Sequence, residues 1–311
     1  METLENRSER KAYIITGPTS GIGRRTAMEL AKHGTVVLVG RNRQKLDDVQ
    51  KTIERMGQRA VSVVCDLSDI KSVRHAAEEI IELHLPIAGL LNNAGIYQMH
   101  GTTKNALGWD MAFATNFLGP FALTEALLPH LPDGANVIFI ASAVEDPERK
   151  PAVRAGYRGG RYISAEASAR GEWEPGGSTH TGADAYATSK QAVLAATMAF
   201  ARETPRLRFN AVEPGLNVTT NLGDAGPTLR LLQTFIFPLL VPLLMPFIKI
   251  LSTPKRAAQV ITKIVIDTSD QTGVYYNERG GPMLGSALAR DPKFQDRVVA
   301  EARALLSTIP T

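Results

Sequence analysis

Short apolar runs alternate with amphipathic stretches of helical length from Ala12 onward, and this alternation constrains the fold more than any other feature. Such runs are typical of buried strands, and the stretches between most of them have the periodicity of helices. Strands that alternate with helices form βαβ units, in which helices cover both faces of a parallel sheet. We therefore predict an α/β fold with a doubly wound parallel sheet. The predicted strands are Ala12–Thr16, Thr35–Gly40, Ala60–Cys65, Ile87–Asn92, Asn136–Ser142 and Arg208–Val212.

The composition allows a large core and excludes several classes of protein. The chain has 311 residues, of which 44% are hydrophobic and 21% charged, and this balance excludes intrinsic disorder. The net charge of +4 comes from charges scattered along the chain, which argues against a nucleic-acid-binding surface. Because no repeat or linker divides residues 1–311, we predict a single domain.

The cysteine content and the N-terminal sequence predict a cytoplasmic protein without a metal site. Cys65 is the one cysteine, so an internal disulfide cannot form, and no His/Cys cluster has metal-ligand spacing. Residues Met1–Lys11 are polar and lack the apolar run of a secretory signal.

A glycine-rich turn follows the first predicted strand and precedes a predicted helix. Glycines at this point let backbone N–H groups approach an anion at the helix N-terminus, and in parallel α/β sheets such a turn holds the phosphates of a dinucleotide. The alternative is a tight turn that serves only close helix packing. The candidate phosphate-binding residues are Gly17, Thr19, Ser20, Gly21, Ile22 and Gly23.

The end of the second predicted strand favours NADP(H) over NAD. An NAD site usually has Asp or Glu here to bind the ribose 2′-hydroxyl, whereas this strand ends at Gly40 and is followed by Arg41. Arg41, with Arg24 after the glycine-rich turn, would supply positive charge for a 2′-phosphate. The alternative is that Arg41, with Lys45, only opens a solvated helix.

Tyr186 and Lys190 are spaced four residues apart in a predicted helix and therefore share one helical face. A tyrosine with an ordinary pKa near 10 is a poor acid or base at neutral pH, and a nearby ammonium group stabilises its phenolate. Asn93 follows the fourth predicted strand and Ser142 ends the fifth, so both should face the same crevice as the glycine-rich turn.

The order of these motifs resembles the short-chain dehydrogenase/reductase family. The matching series is T-G-x-x-x-G-I-G, N-N-A-G, Asn116, Ser142, Y-x-x-x-K and the P-G turn at Pro214, and the resemblance runs from about Lys11 to Thr268. The sequence around Gly108 and Asn116 most resembles that of NADP(H)-dependent members similar to retinol dehydrogenases and protochlorophyllide reductase. The resemblance implies a single Rossmann-type domain with a long insertion between the fifth strand and the catalytic helix.

The resemblance also implies roles for individual residues. Tyr186 would exchange a proton with the substrate oxygen, to which Ser142 would hydrogen-bond, while the nicotinamide exchanges a hydride with the carbon. Lys190 would lower the Tyr186 pKa and bind the nicotinamide ribose, and Asn116 would hold a water that links Lys190 to solvent. The other implied contacts are Asp66 and Leu67 near the adenine, Asn93, Ala94 and Gly95 beside its ribose, and Pro214, Gly215, Thr219 and Thr220 near the nicotinamide.

Some of these residues have a purely structural alternative. Ser142 could simply end a strand, Asn116 could pair with neighbouring backbone, and Asp66 could cap the helix that follows.

Two segments depart from the family pattern. Residues 143–183 lack a clear period and are expected to form a surface insertion, either a lid over the substrate or a disordered or oligomer-contact loop. Residues 224–251 are expected to form an apolar substrate cover. They include Leu231–Ile248, which has no charge but has three prolines that argue against a spanning helix. Interfacial membrane docking is the other alternative for this run.

The sequence therefore predicts an NADP(H)-dependent oxidoreductase whose substrate is a small molecule, a carbonyl compound or alcohol with a bulky lipophilic body. The alternatives are a ketoreductase that tailors a polyketide or other secondary metabolite, and a non-catalytic NADP-binding regulator. Peripheral membrane contact through residues 231–248 and assembly into a homo-oligomer also stay open.

Overall fold

The computed structural model describes residues 11–98, 101–179, 182–215 and 252–310. Eight strands form one sheet in the order β3-β2-β1-β4-β5-β6-β7-β8, and all neighbours are parallel except the final β7-β8 pair. The predicted α/β fold with a doubly wound parallel sheet is confirmed. The strands are β1 (Ala12–Thr16), β2 (Thr35–Gly40), β3 (Ala60–Val64), β4 (Ile87–Asn92), β5 (Asn136–Ile140), β6 (Arg208–Val212), β7 (Tyr275–Tyr276) and β8 (Pro282–Met283).

The chain reverses its direction of winding between β1 and β4. After β1 it adds β2 and β3 on one side, and it then returns to place β4 to β6 on the other. The carboxyl ends of β1 and β4 therefore border a crevice, which is the usual ligand position in this type of sheet. The third and fifth strands end before the predicted Cys65 and Ser142, because β3 pairs with β2 only as far as Val64 and β5 pairs with β6 only as far as Ile140.

Helices cover both faces of the sheet. The first helix packs against the one that starts at Pro254 on one face, and the long helix that starts at Ala183 packs against the last helix on the other. Their bounds are α1 (Gly21–Leu30), α2 (Arg43–Arg55), α3 (Ile70–Glu82), α4 (Met111–Phe113), α5 (Gly119–Leu127), α6 (Lys150–Arg154), α7 (Ala165–Arg170), α8 (Ala183–Glu203), α9 (Pro254–Val265) and α10 (Pro292–Ser307).

A π-helical turn, Ala114–Leu118, joins α4 to α5 and includes Asn116. Such turns widen the helix locally and are frequent at functional sites. The continuous helical segment Met111–His130 is, among the described residues, the one stretch long and apolar enough to cross a membrane. Two thirds of it lies inside the protein, as expected for a core helix.

Part of the insertion packs into the folded core, whereas a surface segment was expected for residues 143–183. It contains α6 and α7, and Tyr162 is only 4% exposed. The Tyr162 ring packs edge-on against Phe294 of α10 at 5.5 Å between centroids. Its hydroxyl donates a hydrogen bond of 2.8 Å to Glu301. The alanines of α7 lack a clear helical period, but because they are small they let this short helix pack closely.

Candidate active site

The glycine-rich turn after β1 has the geometry of an anion cradle. Gly17 and Gly21 have φ of +68° and +53°, a conformation that residues with a side chain rarely adopt. A Cβ on Gly23 would lie 2.2 Å from the Gly17 carbonyl oxygen, so this position also requires glycine. Because α1 begins at Gly21, its unpaired N–H groups face the turn.

A hydrogen-bond network joins this turn to the end of β4. The Thr16 hydroxyl accepts hydrogen bonds of 3.0 Å from the backbone N–H groups of Asn93 and Ala94. In return, the Asn93 side-chain amide donates to the carbonyl oxygens of Thr16 and Gly17, at 2.8 and 3.3 Å. The two predicted cofactor segments are therefore held together as one unit.

Several polar groups around this unit are exposed. Ser20 precedes α1 but its hydroxyl does not cap the helix, whereas Asn42 does cap α2 by accepting from the Lys45 N–H. Arg24 and Arg41 are both exposed, and Arg41 has no hydrogen bond or ion pair within the described part of the chain. These positions are compatible with the predicted phosphate contacts. Thr19 and Ile22 lie half-buried in the same turn.

Tyr186 and Lys190 lie on one face of α8, as predicted, with the Lys190 Nζ 5.6 Å from the Tyr186 ring centroid. Lys190 donates a hydrogen bond of 2.7 Å to the carbonyl oxygen of Ile140, at the end of β5. Ser142 lies two residues beyond and is close enough for its side chain to act as a hydrogen-bond partner of the Tyr186 phenol. The structure thus brings together three of the four predicted catalytic residues around one phenol.

Asn116 is buried next to this group, and its amide bonds to protein partners. Its Oδ1 accepts from the Ile96 N–H at 2.8 Å, and its Nδ2 donates to the Ile96 carbonyl at 3.0 Å and to the Ser189 hydroxyl at 3.1 Å. A Cβ on Gly95 would lie 3.4 Å from the Asn116 oxygen and 3.7 Å from the Lys190 Nζ. Asn116 therefore pairs with backbone groups, which was the structural alternative to its predicted role of holding a water.

The electrostatics of the pair differ from the sequence expectation. Burial and the charge of Glu213 raise the pKa of Tyr186 above its ordinary value, although the hydrogen bond from Ser142 opposes this. Burial also lowers the pKa of Lys190 to about 8. The pKa of Tyr186 is raised overall because removal of water from the phenol has the largest effect, and the lowering expected from Lys190 stays a prediction.

Glu213 follows β6 and was missed as a site residue. Its carboxylate accepts hydrogen bonds from the N–H groups of Ala143 and Gly215 and so links the ends of β5 and β6. Burial raises the pKa of Glu213, while these bonds and the charges of Arg149 and Lys190 oppose the shift. An acidic residue at the carboxyl end of a buried strand, directly before the P-G turn, was the available signal.

Tyr97, two residues beyond the N-N-A-G motif, was also missed. Its ring centroid lies 5.1 Å from that of Tyr186 and 6.2 Å from that of Tyr157 in the insertion. The insertion therefore reaches the candidate site. An aromatic residue just after a motif at the crevice was the signal that could have indicated Tyr97.

The remaining predicted contacts have mixed outcomes. Asp66 accepts two hydrogen bonds from Ser68, at 2.9 Å from the N–H and 2.7 Å from the hydroxyl, and Asp69 caps α3 instead. Leu67 is buried, and its carbonyl would lie 2.0 Å from a Cβ on Gly119.

Pro214 and Gly215 follow β6, as expected. Thr219, Thr220 and the segments 224–251 and 231–248 lie outside the described residues. Within the described ranges, no group of His, Cys, Asp and Glu could hold a metal ion.

Comparison with known sequences also finds similarity to short-chain dehydrogenases. The sequence pattern of the short chain dehydrogenases matches residues 11–155. Retinol dehydrogenase 13 from Mus musculus is 38% identical over 125 residues, which cover 39% of this chain and 37% of that protein. Polyprenol dehydrogenase from Mus musculus is 31% identical over 225 residues, covering 70% of this chain and 59% of that protein. The chain thus matches less than two thirds of the length of these relatives.

A solved structure extends the likeness beyond residue 155. A short chain dehydrogenase from Shigella flexneri 2a, crystallised in complex with NADP, is 26% identical with a TM-score of 0.61. The superposition covers 88% of this chain and 98% of that one. Because sequence pattern, motif order and fold all agree, the chain belongs to the short-chain dehydrogenase/reductase family and is close to its retinol-dehydrogenase-like members.

Proposed function

We propose that this protein is an NADP(H)-dependent oxidoreductase that interconverts the carbonyl and alcohol forms of a bulky apolar substrate. The observation that carries the proposal is the meeting of Tyr186, Lys190 and Ser142 at the carboxyl end of β5. This arrangement puts a proton donor at the crevice where a dinucleotide binds in this type of sheet.

The residues of the crevice fit NADP(H). The positive φ of Gly17 and Gly21 lets the turn present the N–H groups at the start of α1 to an anion, and the close packing of Gly23 against Gly17 holds the turn in this shape. Arg41 is exposed at the end of β2, where an acidic residue would have repelled a 2′-phosphate. The Shigella flexneri relative was crystallised with NADP, which supports the same choice here. When bound, the dinucleotide supplies or accepts the hydride.

The resting charges of the site are those that reduction of a carbonyl needs. Because burial raises its pKa, Tyr186 keeps its proton at neutral pH, as a donor to a carbonyl oxygen must. Lys190, with a pKa of about 8, is largely charged at neutral pH and would stabilise the phenolate that forms. Ser142 would donate a hydrogen bond to the same substrate oxygen.

An apolar substrate is supported by the relatives and by the sequence. Two of the relatives are named for retinol and polyprenol, which are lipophilic alcohols. The uncharged run 231–248 would cover such a substrate or contact a membrane surface. Four points stay predictions: membrane contact by residues 231–248, a lid formed by residues 143–183, assembly into a homo-oligomer and a cytoplasmic location.

Replacement of Tyr186 by phenylalanine tests the proposal. We expect turnover of NADPH with a panel of ketones of graded size to fall by about 10² to 10⁴, the usual contribution of a general acid. NADPH affinity, measured by calorimetry, should change little because the glycine-rich turn is intact. Tyr13→Phe is the matched control, because Tyr13 lies near the start of β1, at the opposite end of that strand from the glycine-rich turn.

Two results would contradict the proposal. Turnover close to wild type in Tyr186→Phe would mean that the proton comes from another group. NADPH binding by the wild type without turnover of any ketone or alcohol in the panel would instead favour a non-catalytic regulator.

A further inference from the structure

Three tyrosines form a continuous row at the candidate site. Tyr97 lies between Tyr186 and Tyr157, with its ring tilted by 51° to the first and 37° to the second. Burial raises the pKa of the Tyr157 phenol, and the neighbouring phenols of Tyr97 and Tyr186 add to the shift. The row therefore begins at the proposed proton donor and ends in the insertion.

The insertion holds Tyr157 in a fixed place. The carbonyl oxygen of the preceding Gly156 accepts a hydrogen bond of 3.1 Å from the Thr179 N–H. The N–H of Arg158, on the other side, donates to the Ser178 hydroxyl at 3.1 Å. Ser178 in turn bonds to Asp184 in the first turn of α8, the helix that bears Tyr186. Tyr157 is thus anchored to the catalytic helix.

One polar atom in the row lacks a well-formed hydrogen bond. The Tyr97 hydroxyl oxygen is shielded from solvent and makes no well-formed hydrogen bond to the described residues, although the Tyr157 phenol lies close enough for the two hydroxyls to interact. A buried hydroxyl without such a bond is unfavourable, so a ligand that brings an oxygen to it gains affinity. Tyr157, beside it, is half-buried, so part of its ring is left to stack on an aromatic or conjugated group.

We propose that Tyr157 and Tyr97 select the substrate: Tyr157 stacks on a flat conjugated group next to the carbonyl, and the Tyr97 hydroxyl bonds to a second oxygen. The substrate class is therefore an aryl or similarly conjugated carbonyl compound that carries a further hydroxyl or carbonyl. This inference rests on the proposed function for the reaction at Tyr186, and it adds the substrate features that the insertion recognises.

Three kinds of methyl ketone test the two contacts separately. Cyclohexyl methyl ketone and acetophenone differ in the flat ring, and the three hydroxyacetophenone isomers add an oxygen at graded positions. The wild type should prefer acetophenone to the cyclohexyl ketone in kcat/KM by about three- to tenfold, the size of one aromatic contact. At least one hydroxy isomer should gain a further factor of about three to ten from its hydrogen bond.

Each variant should remove one preference and keep the other. Tyr157→Leu should abolish the preference for the aryl ring, whereas Tyr157→Phe, the matched control, should keep it. Tyr97→Phe should abolish the gain from the hydroxyl group and keep the preference for the ring. Either preference missing in the wild type, or surviving in its own variant, would overturn the proposal.

A binding measurement separates this inference from the proposed function. Calorimetric affinities of the same ketones for the NADP⁺-loaded protein do not depend on turnover. If the wild type binds them with both preferences but never reduces them, the proposed reaction fails and the recognition role stands. If Tyr186→Phe abolishes reduction while all variants keep the wild-type preferences, the reaction stands and the recognition role fails.

Discussion

Replacing Glu145 by glutamine should remove a pH-dependent loss of stability. Glu145 is fully buried in the 3₁₀ turn after β5, and Ser286 donates to it from its N–H at 2.8 Å and from its hydroxyl at 2.6 Å. Burial raises the pKa of this carboxyl from 4.5 to about 7, although the two bonds from Ser286 oppose the shift.

The size and sign of the effect follow from proton binding. In the unfolded chain the carboxyl ionises near pH 4.5, whereas in the folded protein it keeps its proton up to about 7. The folded state therefore binds more protons between these values, and its stability falls as pH rises through this window. At 1.36 kcal/mol for each pKa unit, the ionisation of Glu145 costs the native state about 3 kcal/mol at high pH.

Urea unfolding of the wild type and Glu145→Gln at about pH 5 and about pH 8 measures this effect. The glutamine keeps an oxygen for the Ser286 N–H but cannot ionise. Between the two pH values, the wild type should lose about 2 to 3 kcal/mol more free energy of unfolding than the variant. Glu148→Gln, an exposed carboxylate three residues on, should behave like the wild type. Parallel pH dependence in the wild type and Glu145→Gln would refute the reasoning.

Four further predictions concern the cofactor, the site and the insertion. Arg41→Ala should reduce the preference for NADPH over NADH by about tenfold or more, because a charge-assisted phosphate contact contributes about 1.5 to 3 kcal/mol; equal loss of both affinities by calorimetry would contradict it. The kcat/KM for reduction should fall as pH rises past about 8, where Lys190 loses its charge, and a flat profile there would argue against its role. Glu213→Gln leaves one of two backbone N–H groups without a good acceptor, so urea unfolding should show a loss of about 1 to 3 kcal/mol, with kcat falling more than NADPH affinity. Tyr162→Ala should cost about 3 to 5 kcal/mol in the same unfolding assay because the ring is buried; a cost below about 1 kcal/mol would show that the insertion contributes little to the core.

The sequence by itself determined the features that depend on neighbouring residues. The strand at Ala12–Thr16 and the turn that follows could be predicted because an apolar run and its glycines act within about ten residues. The shared helical face of Tyr186 and Lys190 follows from their spacing alone. The order of strands and motifs then placed these residues at one end of the sheet. The chemical roles of these residues stay predictions.

Only the tertiary structure decided the contacts between distant segments. The carboxylate of Glu213 bonds to the N–H of Ala143, 70 residues earlier, and Tyr162 of the insertion bonds to Glu301, 139 residues later. No local pattern encodes such pairs, so the sequence predicted a surface segment for the insertion. Tyr186 shows the same limit for electrostatics. Its spacing from Lys190 predicts a lowered pKa, but the loss of water around the phenol raises it, and burial of this kind exists only once the whole chain has packed.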